Sequence, residues 1–463
     1  MTEHKDIATE CKDIIIIGAG LTGLSTAYFL KKRGKNVLVV ERMPRPGGTI
    51  QTLYEGGYSI ETGPNTGSLA NEEIVGLLEE LKNCQLEIAN KAANRRLIWK
   101  NGKLHALPGG ILSGLFTPLF NWKDKFGILL EPFRKKGVDP DEPLAGLARR
   151  RLGQSFLDYA IDPFISGIYA GNPGELVTRY ALPKLYTLEQ SYGSFIKGAI
   201  AKSKEPKTEQ QKKVSKAVFS VEGGLSNLVN ALVEEIGAGN ILLNVNPVVS
   251  EAGSGRYTLH LNGQEIKCSQ VISTVGAHSL PELFPFVPET WMSKINNVRY
   301  APVVQVAVSI PVEAVDKDDL RAFGALIPSK ENRKILGILY PSICFKNRSP
   351  EGRALLSVFM GGMRHPEMLH LSDDKIGELV KEELRIIYRR PELEPQVLRI
   401  SRHSHAIPQY EKNTGERIQA IAEFEKLYPG IIIAGNAIDG IGMAHRARQA
   451  ESIVSQRLYR LLS

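Results

Sequence analysis

Three glycines near the start of the chain have the spacing of a phosphate-binding turn. The stretch GAGLTG at positions 18–23 is a G-x-G-x-x-G motif that directly follows the β-branched run 14–17. Gly18 permits the tight turn, Gly20 lets the backbone approach a pyrophosphate, and Gly23 lets the following helix pack on the strand. The spacing therefore predicts that this turn binds a dinucleotide.

The segments around the turn have the order strand, turn, helix, strand and acid. Leu21 and Thr22 open the predicted helix, where N–H groups and the positive end of the helix dipole attract phosphate. Gly34 is placed to end that helix, and the apolar run 37–40 then leads to Glu41. Glu41 can accept a hydrogen bond from a ribose hydroxyl, so the complete order is far more specific than the glycines alone.

The residues after Glu41 indicate which dinucleotide binds. The sequence RMPRPGGT at 42–49 carries a second glycine pair. It resembles the extension found in amine-oxidase-type FAD proteins, in which such a pair meets the cofactor's phosphates. We therefore predict FAD as the cofactor, with Arg42, Gly48 and Thr49 among its binding residues.

The composition limits the classes of protein to which the chain can belong. Its length of 463 residues allows more than one domain, and 43% hydrophobic with 23% charged residues indicates a globular chain. The net charge of +8 favours anionic partners, such as a carboxylated substrate or an anionic membrane surface. Because no basic tract is interleaved with aromatic residues, we do not expect nucleic acid as a partner.

The cysteines and the N-terminus point to a cytoplasmic protein. Cys11, Cys84, Cys268 and Cys344 have neither C-x-x-C spacing nor histidines at ligand spacing, so we predict reduced structural thiols and no metal site. The N-terminal residues are polar and lack the apolar core of a signal peptide. No apolar run reaches the roughly 18 residues of a membrane span.

The stretch 109–136 has an unusual composition. Apolar and aromatic residues crowd together there, next to five basic ones: Lys123, Lys125, Arg134, Lys135 and Lys136. This combination is typical of an element that lies on a membrane surface, but a helical subdomain packed on itself would show the same stripe. The polar stretch 202–216 that follows further on is expected to be a mobile loop.

The later motifs give the chain a more specific resemblance. GYSIETGPN, NGKLHALP, GIYAGNPGEL, YGSFIKG, VFSVEGGL, FGALIP, FMGG, AIPQY and AGNAIDGIG run along nearly its whole length. On these motifs the chain resembles the FAD-dependent protoporphyrinogen oxidase family, which includes the coproporphyrinogen III oxidases. GIYAGNP, YGSFIKG and AIPQY are the most particular to that family.

The resemblance implies a fold that is α/β plus α+β. A Rossmann-like FAD-binding domain would be assembled from 1–88, 215–277 and 426–463. A helical, membrane-associated domain would span 89–214, and a β-rich substrate domain would span 278–425. The implied reaction, part of heme biosynthesis, takes hydride from protoporphyrinogen IX to FAD, and molecular oxygen then accepts the electrons to give hydrogen peroxide. Coproporphyrinogen III is the alternative substrate, and the sequence leaves open whether the chain forms a homodimer.

The resemblance also implies roles for particular residues. Arg96 resembles the arginine that pairs with a substrate propionate, with Arg95 as the alternative because the doubled arginine leaves the register open by one. The residues implied to surround the macrocycle are Asn65, Phe164, Gly167, Leu326, Leu339 and Phe359. The further residues implied to contact FAD are Val248 at the adenine and Gly435, Asn436, Ile441 and Met443 at the flavin.

Two departures and three alternatives accompany the resemblance. His445 and Arg446 replace a more usual acidic or cysteine-containing pattern, and Val275-Gly276 stands where the family usually has proline. A flavin amine oxidase is the nearest alternative enzyme, although the last cysteine, Cys344, excludes a flavin tether near the C-terminus. A carotenoid-type desaturase and a non-catalytic carrier on the same fold are the others.

Overall fold

The computed structural model describes residues 12–206, 208–253 and 255–458. The fold is a mixed α/β arrangement with two seven-stranded sheets, a hairpin and a three-stranded sheet. Cys11, one of the predicted reduced thiols, and the polar N-terminal residues, from which we predict no signal peptide, lie outside the described residues. Within the described part of the chain, no helix is long and apolar enough to cross a membrane.

The strands, in chain order, have the following bounds: β1 (Lys12–Ile17), β2 (Val37–Val40), β3 (Thr52–Glu55), β4 (Tyr58–Glu61), β5 (Gly67–Ser68), β6 (Leu86–Ile88), β7 (Arg96–Lys100), β8 (Lys103–Ala106), β9 (Val218–Val221), β10 (Ile241–Leu242), β11 (Pro247–Gly253), β12 (Arg256–Leu261), β13 (Gln264–Ser273), β14 (Tyr300–Pro311), β15 (Gly324–Leu326), β16 (Ile335–Leu339), β17 (Arg353–Gly361), β18 (Gln396–Pro408) and β19 (Ile431–Ile433).

The α-helices have these bounds: α1 (Leu21–Lys32), α2 (Glu72–Glu80), α3 (Ile111–Phe116), α4 (Trp122–Leu129), α5 (Leu144–Arg151), α6 (Gln154–Phe156), α7 (Asp162–Tyr169), α8 (Thr178–Ala181), α9 (Pro183–Tyr192), α10 (Phe195–Ser203), α11 (Glu209–Lys213), α12 (Ser226–Ile236), α13 (Leu280–Leu283), α14 (Glu289–Asn296), α15 (Lys317–Leu320), α16 (Pro341–Cys344), α17 (Asp373–Tyr388), α18 (Thr414–Leu427) and α19 (Met443–Ser452).

The first sheet brings distant segments of the chain together. Its order is β10-β2-β1-β13-β12-β11, and β19 also pairs with β13. β10, β2, β1, β13 and β19 run parallel to one another, whereas β12 is antiparallel to β13. The carboxyl ends of the parallel strands therefore meet at one edge. The apolar runs of β1 and β2 are buried because α1 and other elements cover the sheet, as expected for parallel strands.

The second sheet carries most of the later strands. Its order is β18-β14-β17-β16-β15-β7-β8. The hairpin β7–β8 turns at Asn101 and Gly102, both at positive φ, as the Asn-Gly signal predicts. The sequence-based boundary at 89–214 assigned this hairpin to the helical domain, but Leu97 and Trp99 pack in the core of the second sheet. The other predicted domain boundaries remain predictions.

Helices α3 to α10 form a separate layer with its own small core, whereas α11 packs against α2. Leu144, Leu147, Ile165 and Tyr169 are its buried centre. The prediction of a loop over 202–216 is wrong in part, because α10 continues to Ser203 and α11 forms at Glu209–Lys213. Thr208 caps α11 by accepting a hydrogen bond from the Gln211 N–H, so a cap signal outweighs the polar composition.

Candidate active site

The carboxyl edge of the first sheet gathers the residues of the predicted dinucleotide site. Gly18 follows β1, Glu41 follows β2, Thr274 follows β13 and Gly435 lies just beyond β19. The Thr274 hydroxyl donates to the carbonyl oxygens of both Ile17 and Gly18 at 3.0 Å, which fixes the turn. Ligands bind at such an edge in open α/β sheets.

Each of the three positions 18, 20 and 23 requires or suits glycine for a different geometric reason. Gly18 has a φ of +101°, which L side chains rarely adopt. A Cβ on Gly23 would lie 1.9 Å from the Gly18 carbonyl oxygen, so α1 packs against β1 only with glycine there. A Cβ on Gly20 would meet nothing within 4 Å, so open space faces the backbone at Gly20. This is the position at which a pyrophosphate is expected.

The second glycine pair borders the same space. The Gly47 N–H donates to the Ala19 carbonyl oxygen at 2.7 Å. Gly48 has a φ of +59°, and a Cβ on it would lie 3.2 Å from the Cα of Gly20. Thr49 lies next in the chain, and its carbonyl oxygen is 2.0 Å from where a Cβ of Gly63 would be. The structure thus brings 42–49 against the turn, with Arg42 exposed beside Glu41.

Glu41 is buried at the end of β2 and anchored by the backbone. One carboxylate oxygen accepts from the Ala19 N–H at 2.8 Å, and the other accepts from the Met43 N–H at 2.9 Å. A carboxylate oxygen can accept more than one hydrogen bond, so both keep capacity for a ribose hydroxyl. The Glu41 carbonyl oxygen accepts a hydrogen bond from the Val245 N–H. Val248, which is predicted to contact the adenine, lies three residues after Val245 in the edge strand β11.

The predicted flavin segment 435–443 closes the same edge. Gly435 has a φ of +111°, and its N–H donates to the Gln449 side-chain oxygen at 2.9 Å. The Asn436 carbonyl oxygen accepts from the Tyr410 hydroxyl at 2.5 Å. Met443 opens α19 and is buried, and Ile441 packs beside the core of the helical layer. The segment therefore connects the first sheet with the core of the helical layer.

One face of the second sheet carries the predicted substrate residues. Leu326 and Gly337 are register partners, as are Gly337 and Phe359. Leu339 pairs with Gly324, which in turn pairs with Arg96. Register partners point to the same side of a sheet, so these side chains share one face. Leu326, Leu339 and Phe359 are only partly buried, although their strands are otherwise buried.

Two further elements meet this face. A Cβ on Gly167 of α7 would lie 2.6 Å from a Leu326 methyl carbon, so α7 crosses the face at Leu326. Phe164, one turn earlier, is exposed on α7. The loop after β4 also reaches this face. The buried Asn65 side-chain oxygen accepts a 2.7 Å hydrogen bond from Ser357, which lies two residues before Phe359 in β17.

The two arginines at the start of β7 have different surroundings. The Arg95 guanidinium donates to the Asp318 carbonyl oxygen at 2.7 Å. The Arg96 guanidinium carbon lies 5.3 Å from the centre of the Phe323 ring. Within the described residues, no carboxylate forms an ion pair with Arg96. Arg96 is therefore the arginine whose charge remains available on the predicted substrate face.

Ser357, Gln305 and His403 are residues that sequence reasoning missed. Gln305 and His403 bond the carbonyl oxygens of Glu61 and Thr62, each at 2.7 Å, and so tie the segment before Asn65 to the second sheet. Alternation along β17 could have placed Ser357 on the face of Phe359, because the two differ by two positions. No motif marks the other two.

A glycine-lined dinucleotide edge beside a mostly apolar sheet face defines an FAD-dependent oxidoreductase, in which the fold holds the cofactor and positions a substrate. The chain belongs to the family of flavin-containing amine oxidoreductases, which it matches over residues 21–450. FAD is its cofactor, consistent with the open space at Gly20. The chain is 30% identical to protoporphyrinogen oxidase 2 of Arabidopsis thaliana over 98% of its own length and 96% of that protein.

Bacterial relatives cover the chain equally well. It is 27% identical to coproporphyrinogen III oxidase of Bacillus subtilis (strain 168) over 98% of this chain and 99% of that protein. A crystal structure from Exiguobacterium sp. 255-15, of a protein provisionally named protoporphyrinogen oxidase, superposes with a TM-score of 0.80. It is 25% identical and covers 97% of this chain and 99% of its own.

Proposed function

We propose that this protein oxidises protoporphyrinogen IX to protoporphyrin in heme biosynthesis, with FAD as hydride acceptor and oxygen as final acceptor, giving hydrogen peroxide. The observation that carries the proposal is the sheet face of Leu326, Leu339 and Phe359 with Arg96 at one side. The substrate has an apolar macrocycle and ionised propionates, which match this combination of surfaces. The names of the relatives above support the same reaction.

Each residue has a defined task in this reaction. FAD supplies the hydride acceptor when bound. Leu326, Leu339 and Phe359 exclude water and hold the macrocycle by apolar contact. Arg96 fixes the rotation of the ring, because a guanidinium binds a propionate in a directional way. Asn65, held by Ser357, fixes the loop after β4 against this sheet face.

A specific observation favours coproporphyrinogen III as the second candidate substrate. Burial lowers the pKa of Lys184 on α9, and the positive charges of Lys216, Arg448 and Lys202 lower it further. Burial also lowers the pKa of His445, which adjoins the flavin segment, and the charges of Arg448, Arg446 and Lys184 lower it further, against the opposing effect of Asp439. Arg448 is paired with Asp439, but the remaining excess of positive charge beside the flavin segment would favour a substrate with more carboxylates.

The experiment that tests the proposal compares substrates with purified, FAD-loaded protein. We expect porphyrin fluorescence to appear together with oxygen consumption for one or both porphyrinogens. Comparison of the two kcat/KM values decides between them. Hydrogen peroxide formed from primary amines, with no porphyrin from either porphyrinogen, would instead identify an amine oxidase and overturn the proposal.

We further propose a cytoplasmic protein that docks on membranes through the helical layer. Leu112, Phe116 and Phe133 are 74%, 75% and 81% exposed, and Trp122, Phe126, Leu129 and Leu130 are also exposed. Single exposed apolar residues are ordinary, but a contiguous group next to Lys135 and Lys136 is typical of an interfacial element. The exposure of these side chains argues against the alternative of a subdomain packed on itself.

A further inference from the structure

Arg446 lies buried where α19 meets the first turn of α1. It belongs to the first turn of α19, and 8% of it is exposed. One terminal nitrogen donates to the Gln449 side-chain oxygen at 2.9 Å and approaches the Thr22 hydroxyl at 3.4 Å. The other donates to the Gly440 carbonyl oxygen at 2.7 Å. Arg446 thus touches the first turn of α1 and the predicted flavin segment.

The hydrogen bonds of Arg446 leave its charge uncompensated. Its Nε–H is buried and has no partner among the described residues. No carboxylate in the described chain forms an ion pair with it, and Asp439, the nearest acid to influence it, pairs with Arg448 at 2.8 Å. Burial lowers the pKa of Arg446, and the Asp439 charge offsets this only in part. A buried cation of this kind is costly unless a ligand balances it.

Comparison with two other buried arginines shows what distinguishes Arg446. Arg151, which is fully buried in the helical layer, forms ion pairs with both Glu131 and Glu189. Arg417, also fully buried, forms no ion pair among the described residues, but all three of its guanidinium nitrogens donate to carbonyl or hydroxyl oxygens. Arg446 has neither an ion pair nor a full set of hydrogen bonds, which leaves it able to bind an anion at the phosphate end of α1.

We propose that Arg446 is the counter-ion of the FAD pyrophosphate and determines how tightly this chain holds the cofactor. The guanidinium adds a full positive charge to the partial charge of the α1 N-terminus, close to the turn with open space at Gly20. The departure from the family pattern at 445–446 therefore has a physical role. The role concerns cofactor retention and is independent of which substrate is oxidised.

The test uses the full chain and a matched pair of substitutions, Arg446→Gln and Arg446→Lys. Both remove the guanidinium fork, but only lysine keeps the positive charge. FAD and ADP are titrated into the apoprotein at several salt concentrations, with flavin fluorescence or displacement of FAD as the readout. Arg33→Gln is the control, because it removes a cation that joins α1 to α19 through Glu451 on the exposed side.

We expect Arg446→Gln to weaken FAD and ADP binding by about tenfold or more and to reduce the salt dependence. Arg446→Lys should recover most of the affinity, and Arg33→Gln should match the native chain. Equal losses in the lysine and glutamine variants would show a purely structural role and overturn the proposal. Unchanged ADP binding with a lowered flavin midpoint potential would overturn it as well, because the charge would then act on the flavin ring and not on the pyrophosphate.

Discussion

The Ser357 hydroxyl donates a 2.7 Å hydrogen bond to the Asn65 side-chain oxygen across a separation of 292 residues. The bond joins the loop after β4 to the substrate face of the second sheet, and both side chains are buried. Ser357→Ala leaves the Asn65 oxygen without its partner, so we expect the free energy of unfolding to fall by about 1–3 kcal/mol. Chemical denaturation measures this loss.

A double-mutant cycle with Asn65→Ala separates the bond from the rest of each side chain. Removing both partners should cost less than the sum of the single substitutions, with a coupling of about 0.5–1.5 kcal/mol. Additive effects would mean that the bond contributes nothing to stability and does not hold the two parts together.

Substitution of Gly20 should impair FAD binding, whereas substitution of Gly23 should impair stability. Gly20 has an ordinary φ of −74° and open space beside it, so Gly20→Val should fold but lose FAD, giving colourless protein. Gly23→Val should unfold at lower temperature even without FAD, because its Cβ would lie 1.9 Å from the Gly18 carbonyl oxygen. Flavin absorbance and apoprotein melting distinguish the two. Retention of stoichiometric FAD by Gly20→Val would contradict the assigned turn.

Glu61 makes stability depend on pH. Burial raises the pKa of its carboxyl to about 7 from 4.5, although the Leu225 N–H, the Thr52 hydroxyl and Arg348 favour the charged form. The folded state therefore binds the proton more tightly than the unfolded state. The stabilisation from the neutral carboxyl is present below pH 4.5 and is lost as pH rises through about 7.

The matching measurement is denaturation between pH 4.5 and 7. The native chain should lose up to roughly 3 kcal/mol relative to Glu61→Gln over this range. Glu55→Gln, an exposed carboxylate on the same hairpin, is the control and should follow the native curve. Parallel curves for the native chain and Glu61→Gln would show that Glu61 titrates normally.

Membrane docking should depend on both apolar contact and charge. Phe116→Ser with Phe133→Ser removes two of the most exposed aromatic side chains, and we expect vesicle affinity to fall at least about tenfold. Lys135→Glu with Lys136→Glu should abolish the increase in binding caused by anionic lipid. Sedimentation with neutral and anionic vesicles measures both effects. Leu427→Ser, at an exposed apolar residue outside the helical layer, should change nothing.

The sequence predicted local features much better than contacts between distant segments. The cap of α2 is a local feature of this kind: the Asn71 side-chain oxygen accepts from the Ile74 N–H at 3.1 Å, and such a cap depends only on neighbouring residues. The Gly18–Gly23 turn was predictable for the same reason. The register that puts Arg96 beside Gly324 was not, since pairing of strands over 200 positions apart leaves no local signal. The burial of Arg446 between two helices is equally a tertiary property.

The final prediction concerns the arginine that holds the substrate. Arg96 shares the sheet face with Leu326, whereas the Arg95 guanidinium is engaged by the Asp318 carbonyl oxygen. A charge-assisted hydrogen bond contributes about 1.5–3 kcal/mol. Arg96→Ala should therefore lower kcat/KM for the preferred porphyrinogen by roughly ten- to a hundredfold.

Matched variants make this test specific. Arg96→Lys should recover activity only in part, because lysine lacks the planar fork. FAD content should stay normal in every variant, since Arg96 lies outside the dinucleotide edge. Arg95→Ala is the neighbouring control and should remain close to the native rate. Impairment of Arg95→Ala alone would show that Arg95, and not Arg96, binds the propionate. Normal kinetics in both variants would show that the propionate binds elsewhere on the protein.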